Sequence, residues 1–277
     1  MKVASLSTKR ARILFFYYYF SKKIENGRKL FTDKLKLIAR KSRTTTHRKG
    51  MEFMTYHVQL VKLLFSMEDH LYRIQRAEKI SNLWKVTGFL AVVSLFLYGW
   101  MAYLGIGSEL ISREAVGLGM EQYEASKFWF IVGRMLYGLL FTVLVIAVPA
   151  LLFHYLTGIP FQKLVIMQQV VFSILLLERL TWIPLAVFFG LDWYVSPASF
   201  GILFSFITDK AWLIYFFGAI SLFQLWVISF QVTYLRKLSS MSKQRIWLSV
   251  LFLHIVEWAF VSLFAFMDRY LIGGWFG

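Results

Sequence analysis

From residue 84 onward the chain alternates long apolar stretches with short polar ones. Five of them, at about 84–106, 128–155, 164–191, 211–235 and 246–267, are each long enough to cross roughly 30 Å of hydrocarbon as a helix of about 20 residues. Pro149 and Pro184 fall inside the second and third stretches and predict kinks there. Thr157-Gly158-Ile159-Pro160 predicts a tight turn, so these two spans should form an antiparallel hairpin. Upstream, residues 52–80 repeat apolar positions at helical spacing. Met54, Val58, Val61, Leu64, Phe65, Met67, Leu71 and Ile74 make one broad stripe, opposite Glu68, Asp69, Arg73, Arg76, Glu78 and Lys79. The pattern predicts an all-α, polytopic integral membrane protein. It divides into a basic N-terminal segment (1–50), an amphipathic cytoplasmic helix (51–82) and a bundle of five transmembrane helices (83–277).

The first fifty residues behave differently. Their one apolar run, residues 13–20, is too short to span a bilayer, and no small-residue cleavage site follows it. Leu30, Phe31, Leu35 and Ile38 recur at helical spacing among lysines, which suits a helix lying on a membrane surface as well as it suits a disordered basic tail. Met51 and Met54 are alternative starts to Met1.

Composition supports the membrane class: 58% of the 277 residues are hydrophobic and 17% charged, with a mean hydropathy of +0.59. Soluble domains carry about a quarter charged residues, so a soluble enzyme is excluded. The net charge of +16 would suggest nucleic acid, but it is concentrated in one place. Residues 1–50 hold fifteen Lys and Arg against Glu25 and Asp33, and the remainder is nearly balanced. Anionic head groups therefore account for the basicity, and no nucleic-acid partner is required. With the N-terminus inside, the cytoplasmic segments carry the basic tail, Lys79, Lys85, Lys163 and the cluster Arg236, Lys237, Lys243 and Arg245. The first outer loop is then acidic, with Glu109, Glu114, Glu121 and Glu124. The positive-inside bias predicts a cytoplasmic N-terminus, a C-terminus outside and location in the cell membrane. The same four basic residues are candidates for contact with lipid or a partner.

Ionisable groups in hydrocarbon cost about 2.5–3.5 kcal/mol each at a helix centre on insertion scales, so each calls for a partner. The intramembrane candidates are Arg134, His154, Glu178, Arg179, His254 and Glu257. Arg179 and Glu257 are expected to pair near mid-membrane, and His254 and Glu257, at i and i+3, share a face. The bland alternative is a structural ion pair or a neutral, protonated Glu that fixes helix packing. No H-E-x-x-H pair, aspartate dyad or nucleotide loop is present, and there is no cysteine, so no catalytic residue, metal or cofactor is expected.

Several segments resemble the YIP-domain family of five-span membrane proteins, over roughly residues 62–272. KLLFSMEDHLYRIQRAEK is similar to the helix before the first span in that family. PALLFHYLTGIPFQKLVIMQQVVF is similar to its second span, small turn and third span, with WIPL near the third span's end. YFFGAISLFQLWVISFQVTYLRKLSSMSKQRIWLSVLFLHIVEW resembles its last hairpin with a basic cytoplasmic turn. The resemblance implies a cytoplasmic N-terminus, no catalytic residues, and an adaptor or assembly role toward a transporter or trafficking complex. Glu178-Arg179 and the leader to Gly50 have no counterpart in that pattern. The alternative function is a small transport subunit or ion- or proton-conducting bundle built on Arg179, Glu257 and His254. The sequence leaves the oligomeric state open.

Overall fold

The computed structural model describes residues 54–108, 112, 117 and 119–267. The basic segment 1–50, Met51, Glu109, Arg113, Glu114, Arg269 and Trp275 lie outside the described residues. In chain order the elements are β1 (Thr55–His57), α1 (Leu60–Phe65), α2 (Met67–Arg76), β2 (Lys79–Ser81), α3 (Leu83–Tyr103), α4 (Met120–Thr157), α5 (Phe161–Phe189), a 3-10 turn (Trp193–Val195), α6 (Gly201–Ser205), α7 (Ala211–Gly218), α8 (Leu222–Leu238) and α9 (Lys243–Met267).

Among the described residues four helices, α3, α4, α5 and α9, are long and apolar enough to cross a membrane, as in a multi-pass membrane protein. At most 39% of each apolar stretch is buried inside the fold. Side chains such as Phe188 and Phe252 stay exposed at 78% and 69%, an apolar surface compatible with a hydrocarbon surround. Helix α4 has 38 residues, about 57 Å at 1.5 Å per residue, so it extends well past the hydrocarbon core. Both α4 and α5 run through their prolines. Between them Gly158 takes a left-handed conformation and its N–H caps His154 O, closing the expected hairpin turn.

Helices α3 and α4 approach closely where small residues permit it. Ser94 Oγ donates across the interface to Gly138 O at 2.9 Å, and a Cβ at position 138 would lie 3.0 Å from Ser94 O.

Two expectations fail. Residues 52–80 do not form one helix: the backbone leaves helical geometry at Gln59 and Ser66 and becomes extended from Ala77. β1 and β2 instead pair in parallel, Tyr56 opposite Ile80. That ladder supplies partners to backbone groups that a continuous helix would have satisfied internally. The stripe still finds a core, because Leu63, Leu71 and Ile74 are buried in the same apolar cluster as Leu164, Tyr234 and Leu235 of the long helices. This folded unit caps one end of the bundle. Lys163 Nζ donates to Gln75 O at 2.9 Å, and Gln169 Nε2 donates to Leu83 O and Thr87 Oγ1, both at 2.8 Å.

The second failure is the fourth span. Residues 211–235 are interrupted after Gly218, and α8 starts afresh at Leu222 with Ser221 as its N-cap, its hydroxyl accepting from Gln224 N. The groups freed by the break are satisfied by the preceding loop. Phe200 N donates to Ile220 O, and Leu222 N to Ala198 O, around a bridge between Ser199 and Ser221. Residues 200–220 thus form a helical hairpin, α6 and α7, whose two ends meet at that bridge.

Inside the cap, Tyr56 Oη and His70 Nδ1 are 3.0 Å apart and both residues are buried. Burial pushes the Tyr56 hydroxyl up to about 12, so it is the donor and His70 Nδ1 must accept. Burial, then Arg73, lowers the His70 imidazole below the ordinary 6.5. A lowered native value means that the unfolded chain takes up the proton first as pH falls. The contribution is therefore full above pH 6.5 and is lost as pH drops through that value toward the native one. Tryptic cleavage within 62–79 should speed up severalfold between pH 7.5 and pH 5, relative to a peptide control. In His70→Gln that pH dependence should largely vanish.

Candidate functional site in the helical bundle

The polar groups inside the bundle fall into three clusters. Near the middle of α9, α8 and α9 carry a chain of contacts. His254, 2% exposed, places Nε2 at 3.0 Å from Gln231 Oε1 and Nδ1 at 3.4 Å from Glu257 Oε2. Nε2 must hold a proton to donate to the amide oxygen, so a neutral ring presents a bare Nδ1 to the carboxyl. That second contact is attractive only when one further proton sits on Nδ1 or on Glu257. The indole of Trp258 lies 5.8 Å from the imidazole, with its own N–H buried and without a partner.

The second cluster lies where the chain turns back beside α5. After Phe189 a left-handed Gly190 reverses direction, and Trp193 stacks on Trp182 at 6.1 Å, seven residues before the end of α5. The bridge at Ser199 and Ser221 lies deeper still, since the Ser221 hydroxyl interacts with the buried carboxyl of Glu178. Glu178 is eleven residues from the end of α5, about 16 Å at 1.5 Å per residue. Non-helical backbone therefore enters the bundle to that depth, where protein rather than lipid must surround it. The approach is tight: a Cβ on Gly218 would come within 2.6 Å of Tyr194 Cβ.

The third cluster joins α3, α4 and α5. The Arg134 guanidinium lies 5.7 Å from the ring centres of both Tyr98 and Tyr137, and that of Arg179 lies 3.7 Å from Trp182. The expected pair of Arg179 with Glu257 is not made: Arg179 covers an aromatic face on α5, and Glu257 faces His254 on α9. A guanidinium is weakly hydrated and planar, so an indole face can hold it where no carboxylate is close.

His154 has a local task, donating Nδ1–H to Ile159 O at 2.6 Å across the α4–α5 turn. Arg236, Lys237, Lys243 and Arg245 are all exposed at the cap end, flanking the short turn between α8 and α9. An expectation built only on ionisable residues passes over Gln168, Gln169, Gln231, Tyr98 and Ser221. Gln168 and Gln169 are both 0% exposed, and the side-chain amide of Gln168 has no hydrogen-bond partner. Their legible signal was glutamine inside an otherwise apolar span. No protein-family model matches the chain, and no curated protein or solved structure proves similar to it.

Proposed function

We propose that the chain is a five-crossing membrane adaptor or assembly factor of YIP-domain type. Its N-terminus and cap lie in the cytoplasm, its C-terminus lies outside, and it holds a transporter or trafficking partner. Connectivity supports the five-crossing reading. Helix α5 starts at the cap and runs away from it, while α9 starts at the cap end, four residues after α8. The intervening chain must return through the bundle, and α8 provides that descent: Tyr234 Oη donates to Lys163 O beside the cap, and Ser221 neighbours Glu178. The basic groups at the cap end, Lys85, Lys163 and the four residues around the α8–α9 turn, support this orientation under the positive-inside rule.

The observation that carries the adaptor reading is the cap itself. It is folded, packed into the same apolar cluster as the long helices and hydrogen-bonded to α5, yet it presents Phe65 at 86% and Val61 at 67% exposure. A partner seated on this face would be tied mechanically to the helices. A second reading, a small proton-coupled transport subunit, is favoured by the interrupted α7–α8 segment at Glu178 and by the 3.4 Å approach of His254 Nδ1 to the Glu257 carboxyl. One preparation separates the two. A photo-crosslinker at Phe65 in the full chain, expressed in cells, should trap a stoichiometric membrane protein. The capture should fall about tenfold on replacing Arg236, Lys237, Lys243 and Arg245 by Gln, in line with roughly 1.4 kcal/mol of lost affinity. The same protein in vesicles should show no proton flux sensitive to Glu257→Gln. Absence of a trapped partner together with such flux would reverse the assignment.

A further inference from the structure

Two guanidiniums converge on one aromatic wall away from the cap, and neither has a carboxylate within ion-pair distance among the described residues. The wall consists of Tyr98, Tyr137 and Phe141, with Tyr98 and Tyr137 at 5.3 Å and Tyr137 and Phe141 stacked at 6.0 Å. Arg134 covers Tyr98 and Tyr137, while Arg179 lies 5.9 Å from Phe141 and stacks on Trp182. The Tyr98 hydroxyl, on a residue only 3% exposed, is acted on by both arginines and lies beside the Arg179 side chain. Arg134 Nε is also buried without a partner. The turn after α3 roofs the site, since a Cβ on Gly107 would lie 3.7 Å from an Arg134 terminal nitrogen.

The charge balance is uneven. Helix α3 contributes only Lys85, near its start at the cap end. On α4 the remaining charges are Glu121, Glu124 and Lys127 in its first two turns, Glu124 paired with Lys127 at 3.7 Å, and His154 is at the opposite end. Helix α5 adds Lys163 at its start and Glu178, which interacts with Arg179 but also with the Ser221 hydroxyl on the side of α8. One carboxylate stands against two guanidiniums, in surroundings where an uncompensated ion costs several kcal/mol.

We propose that Arg134, Arg179 and the Tyr98 hydroxyl form a binding site for a phosphate group, supplied by an anionic lipid head group or by free phosphate. Guanidinium forks bind phosphate through paired N–H donors, and a neutral phenol adds a third donor. Three donors from three separate helices suit a tetrahedral oxyanion better than a planar carboxylate. The unpartnered Arg134 Nε is hydrogen-bonding capacity that such a ligand would take up, with the Tyr98 hydroxyl beside Arg179 as a further donor. Nothing in this assignment depends on the adaptor reading.

The test is thermal unfolding of the full-length protein in a neutral detergent. It is titrated with phosphatidylglycerol in one arm and with sodium phosphate at constant ionic strength in the other. At least one should raise the midpoint of the wild type. Arg134→Gln with Arg179→Gln should weaken that response about tenfold, and Lys127→Gln, which removes an exposed cation elsewhere on α4, should leave it unchanged. Should the double variant not fold, Tyr98→Phe keeps the packing and removes one donor, and must still weaken the response severalfold. A shift with phosphatidylglycerol alone assigns the head group as source, and a shift with phosphate assigns the free anion. No shift in the wild type, or the same shift in the arginine and tyrosine variants, overturns the site.

Discussion

Replacing Gly201 by valine should abolish the folded α6–α7 hairpin and lower the thermal midpoint of the purified protein more than any other single change outside the long helices. Any Cβ at this position would overlap the Tyr194 carbonyl oxygen and would also lie 2.8 Å from Gly218 Cα. Overpacking against side chains costs about 1–3 kcal/mol because rotamers can yield. Here the obstacle is backbone on both sides, so the loss should exceed the upper end of that range, near 3 kcal/mol. The damage should reach Glu178, because the hairpin's base is the bridge at Ser199 and Ser221 beside it. Gly88→Val is the matched control, since a Cβ there meets nothing within 4 Å. Fluorescence-detected size exclusion after a heating series would compare the two. Equal midpoints would mean that the segment between α5 and α8 packs less closely than described.

Ile74→Ala should release the cap from the bundle. Ile74 is 0% exposed and belongs to the apolar cluster that also takes in Leu63, Leu71, Leu164 and Tyr234. Large-to-small changes at such sites cost about 2–5 kcal/mol through lost transfer energy and the cavity left behind. For a cap of about thirty residues that is a large share of the local stability, given roughly 0.05–0.15 kcal/mol per residue overall. Cleavage by trypsin at Arg73, Arg76 and Lys79 requires local opening, so its rate should rise by at least tenfold while the helical content of the whole protein stays constant. Val61→Ala, at a position 67% exposed, should leave the rate unchanged. Under the adaptor reading, Ile74→Ala should also lose partner capture, because the Phe65 face would no longer be held against the helices.

The two failed expectations share a cause. Hydropathy and helical periodicity report what a segment can bury, and both 52–80 and 211–235 have the right content for a helix. What they do not report is whether another part of the chain offers the backbone a competing partner. Lys79–Ser81 leave the helix because Thr55–His57 complete a ladder, and residues 219–221 leave it because the loop through Ser199 does the same. Gly218 and Ser221 marked the second interruption faintly, as a residue permitting close approach and a residue that caps helices. The Arg179–Glu257 pairing failed for a related reason. Depth along the chain was legible, but rotation about each helix axis and the availability of Trp182 as a cationic partner were not.

What the linear pattern determined is the solvent and most of the helices. Long apolar runs can satisfy their backbone only as helices in hydrocarbon, and the Thr157–Pro160 turn is local chemistry that no distant contact alters. Only the tertiary structure decided the folded cap, the hairpin that dips beside Glu178, the approach of His254 to Gln231 and Glu257, and the meeting of Arg134 with Arg179 around Tyr98. Each depends on groups many residues apart reaching the same place, through side-chain directions and backbone pairings that local composition does not encode.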